Sequence, residues 1–187
     1  MIKYIIAIFI SAVISYLLGS CNSSIITVKL LKGEDIRKFG SGNAGLTNTL
    51  RCFGKLPALF TLIGDLLKGV IAVFICKFIC TLLDAGIGLD GDIRYIGYIA
   101  GLFAVIGHIF PVYYGFKGGK GVLVGVSVFL VIDPAVFGIL IFIFAVTLIL
   151  THYVSVSSIT ASVCCPIVTF LMRYFLSLIH ISEPTRH

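Results

Sequence analysis

Apolar residues dominate long stretches of this chain, and short polar, glycine-rich segments separate them. Runs of that length predict membrane-spanning helices rather than the thin apolar stripe of a surface helix. The first span is expected from about Tyr4 to Leu31, interrupted at Gly19-Ser20-Cys21-Asn22-Ser23-Ser24. A small polar patch of this kind inside a span faces protein or water, not lipid. A second span is expected from Pro57 to Leu83, a third from Ile93 to Tyr114, and a fourth over Val122 to Ile132, extended by its flanks and stopped by Asp133-Pro134. A fifth follows from Ala135 to Leu150 and a sixth from Val154 to Leu171. Another apolar stretch opens after Arg173, from Tyr174 to Ile181, before the tail Ser182 to His187.

Composition supports this class. Of 187 residues, 59% are hydrophobic and only 12% charged, too few to cover a soluble domain of this size. The N-terminal run carries no small-residue cleavage site before a polar domain, so it is read as a retained first helix. The six Cys fit no zinc pattern with His and read as small apolar residues, so no metal or cofactor is expected. The formal charge is +6, and its placement matters more than its size. Lys32, Arg37, Lys38, Arg51 and Lys55 mark one connecting loop as cytoplasmic, and Lys117 and Lys120 fall on the same side by parity. Asp84, Asp90, Asp92 and Asp133 fall on the other, and the N-terminus is expected outside.

Chemistry concentrates in two basic loops. The first reads Gly40-Ser41-Gly42-Asn43-Ala44-Gly45-Leu46-Thr47-Asn48-Thr49-Leu50-Arg51, and the second Gly115-Phe116-Lys117-Gly118-Gly119-Lys120-Gly121. Little side-chain bulk leaves backbone N–H groups free to meet an anion, and the cations supply opposite charge. Ser41, Asn43, Thr47, Asn48 and Arg51 add donors suited to phosphate oxygens. Asp65 and Lys68, three residues apart on one helix face, read as a structural ion pair near the site or as substrate contacts. His108 is a candidate general base or a structural hydrogen-bonding group. Thr151, Ser155, Ser158 and Ser162 form a polar stripe, of which Ser155 and Ser158 are site candidates. No P-loop, Rossmann, Ser-His-Asp or Cys-His constellation is present, and nothing points to nucleic acid. A transporter for an anionic solute also accommodates broken helices near glycine loops. The absence of an internal repeat and the clustering of charge on one face argue against it.

Six strings carry a resemblance. They are Gly19-Ser20, the loop from Gly33 through Gly-Ser-Gly-Asn-x-Gly-x-Thr-Asn-x-x-Arg to Arg51, Asp65-Leu66-Leu67-Lys68-Gly69, Gly107-His108-x-Phe110-Pro111-Val112, Phe116-Lys117-Gly118-Gly119-Lys120-Gly121-Val122, and Tyr153-Val154-Ser155-x-x-Ser158-Ile159. Together they resemble the bacterial acyl-phosphate:glycerol-3-phosphate acyltransferase family (PlsY type), in the family's order over roughly the first 160 residues. The resemblance implies an all-α, polytopic membrane helix bundle of seven-span architecture with a cytoplasm-facing site. It implies one membrane domain over residues 1–181, a seventh span truncated here, and a tail, 182–187, unlike the family's basic ending with its Asn. Leu123-Val124 stands where the family often has Ala-Thr.

The implied reaction moves a fatty acyl group from acyl phosphate to the sn-1 hydroxyl of glycerol 3-phosphate, the first acylation of phospholipid synthesis. It yields lysophosphatidic acid and phosphate. By motif, Ser41, Arg51, Lys120 and Ser158 contact substrate, with Asn43, Thr47, Asn48, His108 and Lys117 as further candidates. In this reading Ser41, His108 and Lys120 are catalytic. Gly40, Gly42, Asn43, Thr47, Asn48, Arg51, Lys117, Gly118, Gly119, Ser155 and Ser158 bind substrate. Acyl phosphate is already activated, so direct transfer by juxtaposition is favoured over an acyl-enzyme. The acyl chain lies between helices or toward membrane lipid. An inactive truncated form is the remaining alternative.

Overall fold

The computed structural model describes residues 2–83 and 93–182, and every regular element among them is helical. The acidic segment Asp84 to Asp92 and residues 183–187 of the tail lie outside the described residues. The chain divides into two compact units, Met1–Ile132 and Asp133–His187.

The first unit contains α1 (Ile2–Ser20), α2 (Ser23–Lys32), a single 3₁₀ turn (Ile36–Lys38), α3 (Leu46–Phe53), α4 (Lys55–Leu82), α5 (Ile93–Ile109), a second 3₁₀ turn (Val112–Tyr114) and α6 (Val122–Ile132). The second unit is a hairpin of α7 (Pro134–Thr151) and α8 (Val154–Ser182). Among the described residues, five stretches are long and apolar enough to cross a membrane: Ile2–Lys32, Lys55–Leu82, Tyr95–Tyr114, Pro134–Thr151 and Val154–Tyr174.

Three expectations are corrected. The fourth span, α6, has 11 residues, bounded by left-handed Gly121 and by Asp133-Pro134. At 1.5 Å per residue it reaches only about 16 Å, roughly half of a bilayer's hydrocarbon core. No new helix opens after Arg173. Leu171 to Tyr174 contains no glycine or proline to stop the preceding one, and α8 runs unbroken to Ser182. The polar stripe is also divided. Thr151 closes α7, His152 turns the chain with φ 58°, and α8 restarts at Val154. Within α8 the Ser158 and Ser162 hydroxyls donate to the carbonyls of Val154 and Ser158, four residues back, each at 2.8 Å.

The first unit buries small residues and turns large ones outward. On α1 the buried face is Ala7, Ser11, Ser15 and Gly19, spaced by four, while Ile5, Phe9, Val13 and Leu17 are exposed. Lipid solvates large apolar groups as well as protein does, so helix association relies on close backbone approach through small residues. α1 packs most extensively against α5. A Cβ on Gly19 would collide with the Ala104 carbonyl, and one on Gly107 with the Tyr16 carbonyl. Polar ties reinforce the crossing. Tyr16 Oη donates to Phe110 O at 2.9 Å, and Ser15 Oγ lies 3.1 Å from Cys76 Sγ on α4.

This packing predicts an asymmetry between two glycines. Gly107→Ala drives a methyl into the α1 backbone. It should destabilise the protein by about 1–3 kcal/mol and lower its detergent melting midpoint by roughly 2–10 °C. Gly138→Ala on α7, where a Cβ meets nothing within 4 Å, should melt like the parent.

Candidate active site

The break between α1 and α2 starts the site. Asn22 is fully buried; its Oδ1 caps α2 by accepting from Ile25 N at 3.1 Å, and its Nδ2 reaches the first loop to donate to Ala44 O at 3.3 Å. Asn48, on α3, ties the same loop from the other side. Its Oδ1 accepts from Ser41 N at 3.1 Å and its Nδ2 donates to Phe39 O at 3.0 Å. Gly40 and Gly42 hold φ of 56° and 70°, so they shape this tight path.

Hydrogen-bond accounting revises the view of these loops as open amide cradles. In the first, the N–H groups of Ser41, Gly42, Ala44 and Gly45 are engaged by Asn48 Oδ1, Phe39 O, Gly118 O and Asn43 O. In the second, Gly118 N donates to Ile109 O and Gly119 N to His108 O, each at 3.1 Å, folding the loop back on the end of α5. Donors remain at the start of α3, where Gly45 supplies no side-chain cap. An uncapped helix start presents N–H groups and positive partial charge.

The two loops meet. Ala44 N donates to Gly118 O at 3.5 Å. A Cβ on Gly119 would collide with Ala44 O and with His108 Nε2, so the seam closes only around glycine. This is the convergence that a shared site requires. A second tie comes from Arg37. Its Nη1 donates to Tyr114 O at 2.7 Å and Lys117 O at 3.4 Å, while Nε and Nη2 grip the Asp35 carboxylate at 3.0 and 2.7 Å. The guanidinium holds the Asp35 carboxyl below its ordinary value, and the carboxylate in turn raises the Arg37 value.

Beneath the seam lies a buried polar group. Lys68 Nζ is 2.7 Å from His108 Nδ1, 3.2 Å from Gly19 O and 3.1 Å from Cys21 O, and it pairs with Asp65 Oδ1 at 3.0 Å. Asp65 Oδ1 lies 3.7 Å from the same ring nitrogen. With Nδ1 facing Lys68, the His108 ring turns only its Nε2 edge toward Gly119. It is also buried, as are Asp65 and Lys68.

The predicted site residues thus separate by environment. Ser41, Thr47, Arg51, Lys117 and Lys120 are exposed at the loops, and no ion pair involves these three cations among the described residues. Asn43 and Gly118 are half-buried. Asn48 and Gly119 are buried and build the loops. Ser155 and Ser158 belong to the second unit, Ser155 exposed and Ser158 half-buried. Sequence reasoning did not single out Arg37 or Asn22. Asn22, directly ahead of a helix restart, carried an N-cap signal, whereas Arg37 looked like one more charge on a basic loop.

Removing the Arg37 clamp leaves two loop carbonyls without their donor. In Arg37→Ala, amide exchange at residues 115–118 should rise about tenfold as local opening becomes easier. Because the Asp35 value is lowered on folding, the clamp is fully formed above 3.8 and is lost only as pH falls through the lower folded value. Exchange corrected for intrinsic pH dependence should therefore stay flat across the neutral range.

Comparison with known proteins gives this geometry its family. The model of the family described as glycerol-3-phosphate acyltransferase matches residues 9–184. A glycerol-3-phosphate acyltransferase of Staphylococcus saprophyticus is 42% identical over 175 residues, spanning 92% of this chain and 84% of its own. One from Clostridioides difficile is 39% identical, spanning 94% and 83%. The crystal structure of PlsY, an integral membrane glycerol 3-phosphate acyltransferase, in its glycerol 3-phosphate form superposes with a TM-score of 0.71 at 32% identity, covering 95% of this chain and 79% of that one. Its lysophosphatidic acid form gives 0.71 at 30% identity, covering 88% and 76%. These matches set the transporter reading aside. With its converging basic loops and its helical membrane architecture, the chain belongs to the glycerol-3-phosphate acyltransferase family.

Proposed function

We propose that this glycerol-3-phosphate acyltransferase takes its acyl group from an acyl phosphate and passes it directly to the sn-1 hydroxyl, releasing lysophosphatidic acid and inorganic phosphate. The supporting observation is the contact between the two basic loops, from Ala44 N to Gly118 O at 3.5 Å. It brings two sets of cations to one end of the first unit, as a reaction between two phosphate-bearing substrates requires. Arg51, the Ser41 hydroxyl and the open first turn of α3 hold glycerol 3-phosphate. Lys117 and Lys120 hold the donor phosphate through side-chain charge, because the amides of Gly118 and Gly119 are engaged elsewhere.

The hydroxyl oxygen bonds to the acyl carbon, the bond from that carbon to the bridging phosphate oxygen breaks, and the phosphate leaves with the electron pair. The hydroxyl proton passes to an oxygen of the phosphate that leaves, since His108 Nδ1 is already occupied. Fixed cations beside the departing anion lower the barrier by charge stabilisation. Ser155 and Ser158 keep substrate roles on the motif alone. The acyl chain lies along lipid-facing apolar side chains. The loops face the cytoplasm and the N-terminus lies outside, from the Lys/Arg bias. Against the family's seven spans, five stretches among the described residues are long enough to cross, and α6 reaches about half of the hydrocarbon core.

Two measurements test this reading. Purified protein given acyl phosphate and glycerol 3-phosphate should release phosphate and lysophosphatidic acid in equal amounts. An equal rate with acyl-CoA replacing acyl phosphate would overturn the donor assignment. Arg51→Ala should raise the KM for glycerol 3-phosphate roughly 10- to 100-fold, the range for losing charge-assisted hydrogen bonds. Unchanged kinetics would remove Arg51 from the site.

A further inference from the structure

The transfer step makes no use of the buried Asp65, Lys68 and His108, yet this group touches the supports of both loops. We propose that Lys68 is a positioning residue: by donating to His108 Nδ1 it fixes one neutral tautomer, and through that ring it sets where Gly119 and the second loop meet the first. The kinetic consequence rests on the reading of the second loop as a phosphate subsite; the positioning itself does not.

Proton accounting carries the argument. An ammonium has three N–H donors. Lys68 directs them to Gly19 O at 3.2 Å, Cys21 O at 3.1 Å and His108 Nδ1 at 2.7 Å. Asp65 Oδ1 is buried, 3.0 Å from the ammonium and 3.7 Å from His108 Nδ1, so the carboxylate faces both partners. Asp65 supplies the counter-charge, and the same Nζ reaches the helix break and the ring.

The circuit closes from there. Next to Cys21, Asn22 holds Ala44 O of the first loop. His108 O accepts from Gly119 N, and the Nε2 edge of the ring lies against Gly119 where a Cβ would collide with it. Ala44 N meets Gly118 O at the seam. One ammonium thus underlies both sides of the contact.

The test uses the full chain in detergent with ¹⁵N-labelled histidine, of which there are four. His108→Gln identifies the signal. The expected result is a neutral ring with the proton on Nε2 and a hydrogen-bonded lone pair on Nδ1. A proton on Nδ1 in the parent protein overturns the proposal outright, whatever the variants do. Lys68→Met alone would strand a buried carboxylate, so Asp65→Asn/Lys68→Met is measured beside it. That double variant should show mixed tautomers and about tenfold faster amide exchange at residues 118–121. Asp65→Asn/Lys68→Gln, which keeps an N–H donor without stranding the carboxylate, should recover the single tautomer. Unchanged tautomer and exchange in Asp65→Asn/Lys68→Met overturn the proposal. The KM for a phosphate-bearing substrate should rise about tenfold in that variant with a smaller change in kcat. If tautomer and exchange shift while both KM values hold, Lys68 positions the loop as proposed and the loop is not a phosphate subsite.

Discussion

Lys68 places a positive charge inside a helix bundle whose outer surface is apolar, where an unpaired ammonium is costly by several kcal/mol. That constraint organises much of the first unit. The charge is matched by Asp65 one turn earlier on α4, at 3.0 Å. Its protons go to Gly19 O and Cys21 O, carbonyls left open where α1 stops, and to His108 on α5. A helix break in a membrane is tolerated only where neighbouring groups satisfy the exposed backbone. Lys68 does this for one side of the break and Asn22 for the other, so the interruption in the first span is tied to the loops above it.

The glycines work by permitting contact more than by presenting amides. Gly19 and Gly107 let the α1 and α5 backbones touch, and Gly119 lets the second loop pass between His108 and Ala44 O. Most of the loop N–H groups that look free in the sequence are engaged by carbonyls or by Asn48 in the fold. The groups left open at the loops are the side-chain cations and the start of α3. A cation left unpaired at a converged seam remains available to a phosphate, whereas Arg37, paired with Asp35, is committed to holding the second loop.

Much of this was legible along the chain. Long apolar runs marked the spans, and the small polar patch at residues 19–24 marked the break. The six motif strings marked the family and the residues of its two loops. Less legible were features set by local competition between signals. Val122 to Ile132 looked like a span because its residues are uniformly apolar, yet Gly121 and Asp133-Pro134 cut it to 11 residues. The apolar stretch after Arg173 looked like a new helix because a charge interrupts it, yet one arginine does not stop a helix already under way.

The sequence by itself determined the membrane class, the family and which cations and polar groups the two loops carry. Those follow from which side chains are present and in what order, and order survives without a fold. Only the tertiary structure decided which of those groups are free. His108 met Lys68 through Nδ1, Asn48 turned inward to brace a loop, and Arg37 became a clamp between segments 77 residues apart. A hydrogen bond depends on distances of about 3 Å between atoms far apart in the chain, which packing sets and residue order does not record.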